Sequence, residues 1–376
     1  MNFLHFSENL IRLRHEKKIT QEELADFIGV TKASVSKWEN RQSLPDILLL
    51  PHLAAFFGVT IDELIGYEPQ LSKEQIRKIY MELCEDFSAL PFLEVMKKSR
   101  LLVHQYYSCY PFLLQTCLLW LNHFMLAETN IQQAEILQDI SALCSHIIQN
   151  CKNIGISGEA VSLKAMSDLQ LGKAEEVVDT LENITNPHHI SNQNDALLVQ
   201  AYQAAGDLEK ARNYTQLSMY LHLLSLVGSA VSYLSIQIQH RQICEETICR
   251  IDRLIESYDL AHLHPNVAAQ FYYQAALVYM VHGERELALD RLAQYRNTVC
   301  FLLSNQNIYL HGDSYFDSIE NWFEGLDLGP NPPRNKKIVA EGACQAFLHP
   351  LFAQLENNTR FQQIKKSLQE GASHYE

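Results

Sequence analysis

The chain has 376 residues, of which 47% are hydrophobic, 10% aromatic and 20% charged. That composition can bury a sizeable core, which excludes a disordered, collagen-like or low-complexity protein, and the length accommodates two or three domains. Thirty Lys and Arg against 44 Asp and Glu give a formal net charge of −14. Whole-chain affinity for nucleic acid or an anionic membrane is excluded, and any DNA contact must come from a local cluster.

Eleven prolines and 14 glycines are few breakers for this length, so the expected fold class is all-α. The nine cysteines contain no C-x-x-C pair and most sit in apolar runs, the pattern of reduced buried thiols, which points to the cytoplasm. The opening residues MNFLHFSENL lack an export signal's charged-then-apolar pattern.

In chain order, residues 7–17 place Leu10, Ile11 and Leu13 at helical spacing behind Ser7 as N-cap. Thr20 with Glu23 reads as a capping box opening a short helix through Leu24, Ala25 and Ile28, which Gly29 ends in a tight turn. Thr31 caps a third helix, KASVSKWEN, with Val35 and Trp38 inward. A fourth helix spans about Asp46 to Phe57, and Thr60 to Ile65 forms a fifth. Two short helices joined by a glycine-containing turn make a helix-turn-helix.

The segment TQEELADFIGVTKASVSKWENRQSLPD, followed by LAAFFGVTIDELIG, resembles the Cro/repressor (XRE) DNA-binding family over nearly all of residues 6–66. On that resemblance the third helix enters the major groove of double-stranded DNA, where base edges carry distinct donor and acceptor patterns. Lys32 and Lys37 reach guanine acceptors or phosphates, Ala33 lies against a thymine methyl, and Ser34 and Ser36 offer hydroxyls, with Thr31 at the helix start. Gln21 resembles the family's phosphate-contacting position at a helix N-terminus, and Asn40, Arg41 and Ser43 are further backbone-contact candidates. Residues 1–66 hold seven Lys and Arg against nine acids, a net of −2, so one domain has little charge for neutralising phosphates. Paired half-sites and a homodimer are the expectation.

Residues 67–73 read as a polar linker, and 74–88, 91–107, 111–127 and 131–151 as four helices within a region, 74–157, that leads into repeats. The apolar run Tyr110–Ala127 is interrupted by Gln115, Thr116, Asn122 and His123 and reads as a buried helix, not a membrane span.

Across residues 158–325, Gly172 and Gly206 lie 34 residues apart, and a third such segment centres on Gly283. Leu198, Tyr202, Gly206 and Ala211, and again Tyr272, Ala276, Tyr279, Gly283, Ala288 and Leu292, resemble the tetratricopeptide repeat family. The first unit departs from the pattern, with Lys164 and Asp168 at usually apolar positions and Val177 in place of a small residue. A degenerate unit without the turn glycine is expected around 222–258. Such solenoids line a concave face with first helices, which nominates Gln193, Gln200, Gln203, Gln270, Tyr273 and Gln274 for an extended peptide. Residues 326–376 read as a loop, richest in Pro, Gly and Asn, then capping helices at about 338–354 and 357–370.

His188-His189 and His262-x-His264 lack metal-ligand spacing, and no phosphate-binding or nucleophile motif occurs, so neither metal, cofactor nor catalysis is expected. The combined architecture resembles the Rgg and PlcR type of peptide-responsive regulators. That resemblance implies a dimer whose DNA affinity responds to a short signalling peptide in the groove. A DNA-tethered adaptor and an antitoxin-like repressor, each holding a partner protein on the repeats, are the alternatives.

Overall fold

The computed structural model describes residues 5–67, 70–185, 194–304 and 309–373. Among them helices form throughout and no strand occurs, so the protein is all-α. Two compact units are present: residues 1–72 with 102–112, and residues 73–101 with 113–376.

In the first unit the helices are α1 (Phe6–Glu16), α2 (Gln21–Ile28), α3 (Lys32–Glu39), α4 (Leu50–Phe57) and α5 (Ile61–Ile65), with a 3-10 turn at Ile47–Leu49 leading into α4. Local chemistry sets their starts. Thr20 and Glu23 form the reciprocal capping box at α2, Thr60 and Glu63 form a second at α5, and the Thr31 hydroxyl accepts from the Ser34 N–H at α3. Gly29 ends α2 in the left-handed conformation at φ 78°. Ser7 is not a cap. It lies inside α1, is buried, and donates its hydroxyl to the Trp38 carbonyl, while the helix is preceded by His5, whose N–H donates to Ile65 at 3.0 Å. That approach of chain ends needs Gly66, where a Cβ would meet the His5 Cβ at 2.9 Å. The core between these helices is Leu10, Leu13, Leu24, Val35, Trp38, Leu53, Phe57 and Leu64.

The chain continues through α6 (Lys73–Ala89), α7 (Phe92–Gln105), α8 (Tyr110–His123) and α9 (Asn130–Asn150). Within α8, Leu113, Leu114, Cys117, Leu119 and Trp120 are buried, and so are the polar interruptions Gln115, Thr116 and His123. Trp120 donates its indole N–H to Ser99 at 2.9 Å.

Then come α10 (Ile154–Gln170) and α11 (Ala174–Thr185), α12 (Asn194–Ala204) and α13 (Leu208–Ile236), α14 (Arg241–Ser257), the single turn α15 (Leu260–Leu263), and α16 (Pro265–Val281) and α17 (Arg285–Ser304). Three of these pairs turn on glycines held at φ near 78°: Gly172 at 79°, Gly206 at 78° and Gly283 at 72°. The stretch 222–258, which lacks a turn glycine, is not a separate pair. The 29-residue α13 runs unbroken to Ile236, and only residues 237–240 part it from α14. This helix is long and apolar enough to cross a membrane by length and composition, yet its Tyr220, Leu223, Val227, Ala230 and Leu234 pack into a protein core with α16, Phe316, Phe347, Phe352 and Phe361.

The end of the chain holds α18 (Glu320–Gly325), α19 (Lys336–Gln345) and α20 (Thr359–Ser373). The first expected capping helix is shorter than 338–354: the chain passes into 3-10 turns at Ala346–Leu348 and Pro350–Leu355, because Pro350 has no N–H to continue an α-helix. The Pro- and Gly-rich segment before α19 is anchored to α6. Arg77 donates to the carbonyls of Leu326 at 2.8 Å and Asp327 at 3.0 Å, and the Tyr80 hydroxyl donates to Pro333 at 3.0 Å.

Candidate nucleic-acid interface

The α2–turn–α3 hairpin is fixed from beneath by Val35 and Trp38, at 0% and 4% exposure. What the sequence reading lacked is a polar clamp behind α3. Glu39, buried at the end of α3, receives a two-pronged ion pair from Arg14 of α1, at 2.6 and 3.0 Å, and a 2.7 Å hydrogen bond from the Gln21 amide of α2. One carboxylate thus ties the three helices together. Burial pushes the Glu39 carboxyl up, but hydrogen bonds from Arg14 and Gln21 and the Arg14 charge outweigh it and hold it below the ordinary carboxylate range. No local pattern marks this clamp, since its partners lie 25 and 18 residues from Glu39.

Buried residues on one side of α3 leave the other side in solvent. Lys32, Ala33 and Lys37 are exposed, and Ser34 and Ser36 half-exposed. The Lys37 ammonium makes no hydrogen bond or ion pair with any described residue, while its carbonyl accepts from the Gln42 N–H at 2.9 Å. Lys32 pairs with Glu22 at 3.3 Å, both side chains mostly exposed. The Thr31 hydroxyl, which caps α3, also shares a hydrogen bond with the Ser34 hydroxyl at 2.9 Å. Asn40 folds its amide back to the Ser36 carbonyl at 2.8 Å. Arg41, in the left-handed region at φ 59°, is ion-paired with Glu8 of α1. Ser43 is exposed. Gln21 is half-buried and oriented by Glu39, with the rest of its amide available at the start of α2. Lys32, Ala33 and Lys37 therefore share the solvent side of α3, but Lys32 and Arg41 are each already neighboured by a carboxylate.

The described ones among the nominated peptide residues lie on α12 and α16. Gln200 and Gln203 are exposed on α12, Gln270 is exposed and Gln274 half-buried on α16. Gln193 and the His188–His189 pair lie outside the described residues. Tyr273 is not an open groove residue. Its hydroxyl donates to the Ala346 carbonyl at 3.1 Å and its ring packs on Tyr295 and Phe352, because the 3-10 segment after α19 covers that face of α16. His262 bonds Asp259 at 2.6 Å and His264 caps α16, and no group able to hold a metal occurs among the described residues.

Comparison with known proteins concentrates on the first unit. Residues 10–64 match the Helix-turn-helix family HTH_3. The HTH-type transcriptional activator BcrR of Enterococcus faecalis is 36% identical over 83 residues, 20% of this chain and 41% of the relative. The uncharacterized HTH-type transcriptional regulator YqaE of Bacillus subtilis (strain 168) is 35% identical over 63 residues, 17% of this chain and 54% of the relative. The SPbeta prophage-derived uncharacterized HTH-type transcriptional regulator YonR of the same organism is 33% identical over 72 residues, 19% of this chain and 67% of the relative. The chain thus spans about half the length of the first two relatives. No solved structure matches the chain. Through its N-terminal unit, the chain belongs to the helix-turn-helix family.

Proposed function

We propose that this protein is a sequence-specific DNA-binding transcription regulator that works as a homodimer. In this reading its second unit, a tetratricopeptide-like helical domain, senses a signalling peptide or small ligand. The carrying observation is the solvent face of α3, where Lys32, Ala33 and Lys37 project from a helix whose opposite side is pinned by Trp38 and the Arg14–Glu39–Gln21 clamp. A pre-set helix of this kind delivers its side chains to base edges without first spending free energy on ordering. The names of the relatives, a transcriptional activator and transcriptional regulators, support the same reading.

A homodimer follows from charge. A domain of net −2 gains little from releasing counterions, so useful affinity requires two half-sites. Leu44, Ile47 and Leu48, between 62% and 76% exposed, supply apolar surface for a partner copy. Ligand in the second unit then shifts the balance of dimer geometries, by no more than its differential affinity for them. Selection from a random duplex library tests the DNA-reading step. Enrichment of an inverted repeat whose half-sites lie about 34–36 Å, one helical turn, apart is expected. Enrichment of an unpaired half-site, or none, contradicts it.

A further inference from the structure

A cavity of about 250 Å³ lies between α9, α10 and α11, with Ile148, Val161, Ala165 and Val177 as its apolar wall. Lys164, Asp168 and Glu176 also line it. Lys164 and Asp168 stand one turn apart on α10, at two positions where the repeat pattern calls for apolar side chains. Asp168 is only 2% exposed and is held by Lys164, in direct contact, and by Lys173 at 3.5 Å. Taking a carboxylate out of water costs several kcal/mol, recovered only by close partners. Apolar residues would stack these helices without that cost, so charge here points to a ligand.

The charges also indicate which one. Lys164, on the cavity wall, shares Asp168 with Lys173 and keeps donors beyond the one it gives that carboxylate. Glu176, on α11, brings a carboxylate that pairs with no cation among the described residues. The volume falls below the roughly 300–1,000 Å³ of sites for drug-sized molecules, which suits a ligand of amino-acid size. We propose that this cavity binds a free apolar α-amino acid, its carboxylate on Lys164, its ammonium on Glu176 and its side chain against Val161 and Val177. The proposal that this ligand is the effector rests on the ligand-sensing reading above.

Equilibrium dialysis of the full chain with labelled L-leucine and L-methionine tests the site. Saturable binding of one molecule per chain is expected. N-acetyl-L-leucine and L-leucinamide, each lacking one charge, should compete at least ten-fold more weakly. Lys164→Met should weaken binding at least ten-fold. The exposed Glu176→Gln, which breaks no internal ion pair, should do the same if Lys164→Met fails to fold. Absence of binding by both amino acids, or undiminished binding by the folded variants, overturns the assignment. DNA affinity measured in the same samples separates the two claims. Leucine binding that leaves DNA affinity unchanged supports the site and refutes sensing through it. A ligand-dependent DNA response that survives both substitutions supports sensing and overturns this site as its seat.

Discussion

At the scale of single residues, the surface proposed to face DNA sets basic side chains beside nearby acids. Lys32 lies 3.3 Å from Glu22, and Arg41 is paired with Glu8. Exposed pairs of this kind contribute only about 0–1 kcal/mol, so DNA can displace them, but each acid also repels the phosphates that the lysine attracts. Glu22→Gln should therefore raise operator affinity two- to ten-fold at low salt, with the gain fading as screening increases. Titration of labelled operator at two ionic strengths checks this, and equal affinity of variant and wild type at low salt would contradict it. Glu39 is the opposite kind of acid: buried, shared by Arg14 and Gln21, and committed to holding α3 rather than to DNA.

At the scale of helices, what could be read in the sequence was what local chemistry decides. Thr20, Glu23, Gly29 and Thr31 act on neighbours within four residues, and their roles in the structure match their spacing. Ser7 has a capping residue's chemistry too, but the chain enters α1 earlier, drawn by the His5–Ile65 contact 60 residues away, and the serine becomes internal. Tyr273 is half-buried for the same reason, since Ala346 and Phe352 return from far along the chain to cover it. Long-range packing also explains His123, read first as an interruption of an apolar run. It is 1% exposed, stacked on Phe87 of α6 at 4.5 Å, bonded through Nδ1 to the Leu119 carbonyl at 2.8 Å and 3.9 Å from the Cys84 thiol. Burial, reinforced by the Arg334 charge and only partly opposed by the Leu119 bond, brings its pKa down from 6.5 to about 4. A histidine kept neutral in the fold takes its proton when the chain unfolds. Stability is thus complete above about pH 6.5 and is lost as pH falls toward 4, by about 3 kcal/mol at most. Chemical denaturation of the second unit's helices at pH 7.0 and 5.0 should show that loss in the wild type and a smaller one in His123→Phe. Parallel losses would contradict the assignment.

At the scale of the whole molecule, the two units divide the evidence for function unevenly. The first has a matched family, a core and an ordered surface of DNA-facing candidates. Among its described residues the second has three glycine-turned helix pairs, a long α13 and a charged cavity, features that suit a sensor without naming its signal. With a net charge of −14 spread over the chain, the proposed reading concentrates attraction to DNA on α3 and its flanks, where a few lysines should carry most of it. The central claim is that this face reads DNA. Fluorescence anisotropy on the DNA upstream of the protein's own gene, comparing wild type with the Lys32→Ala/Lys37→Ala variant across a salt series, tests it most directly. The account predicts salt-sensitive wild-type binding that the double variant loses while its helical content is unchanged. Equal binding by both proteins, with the same salt slope, would contradict it.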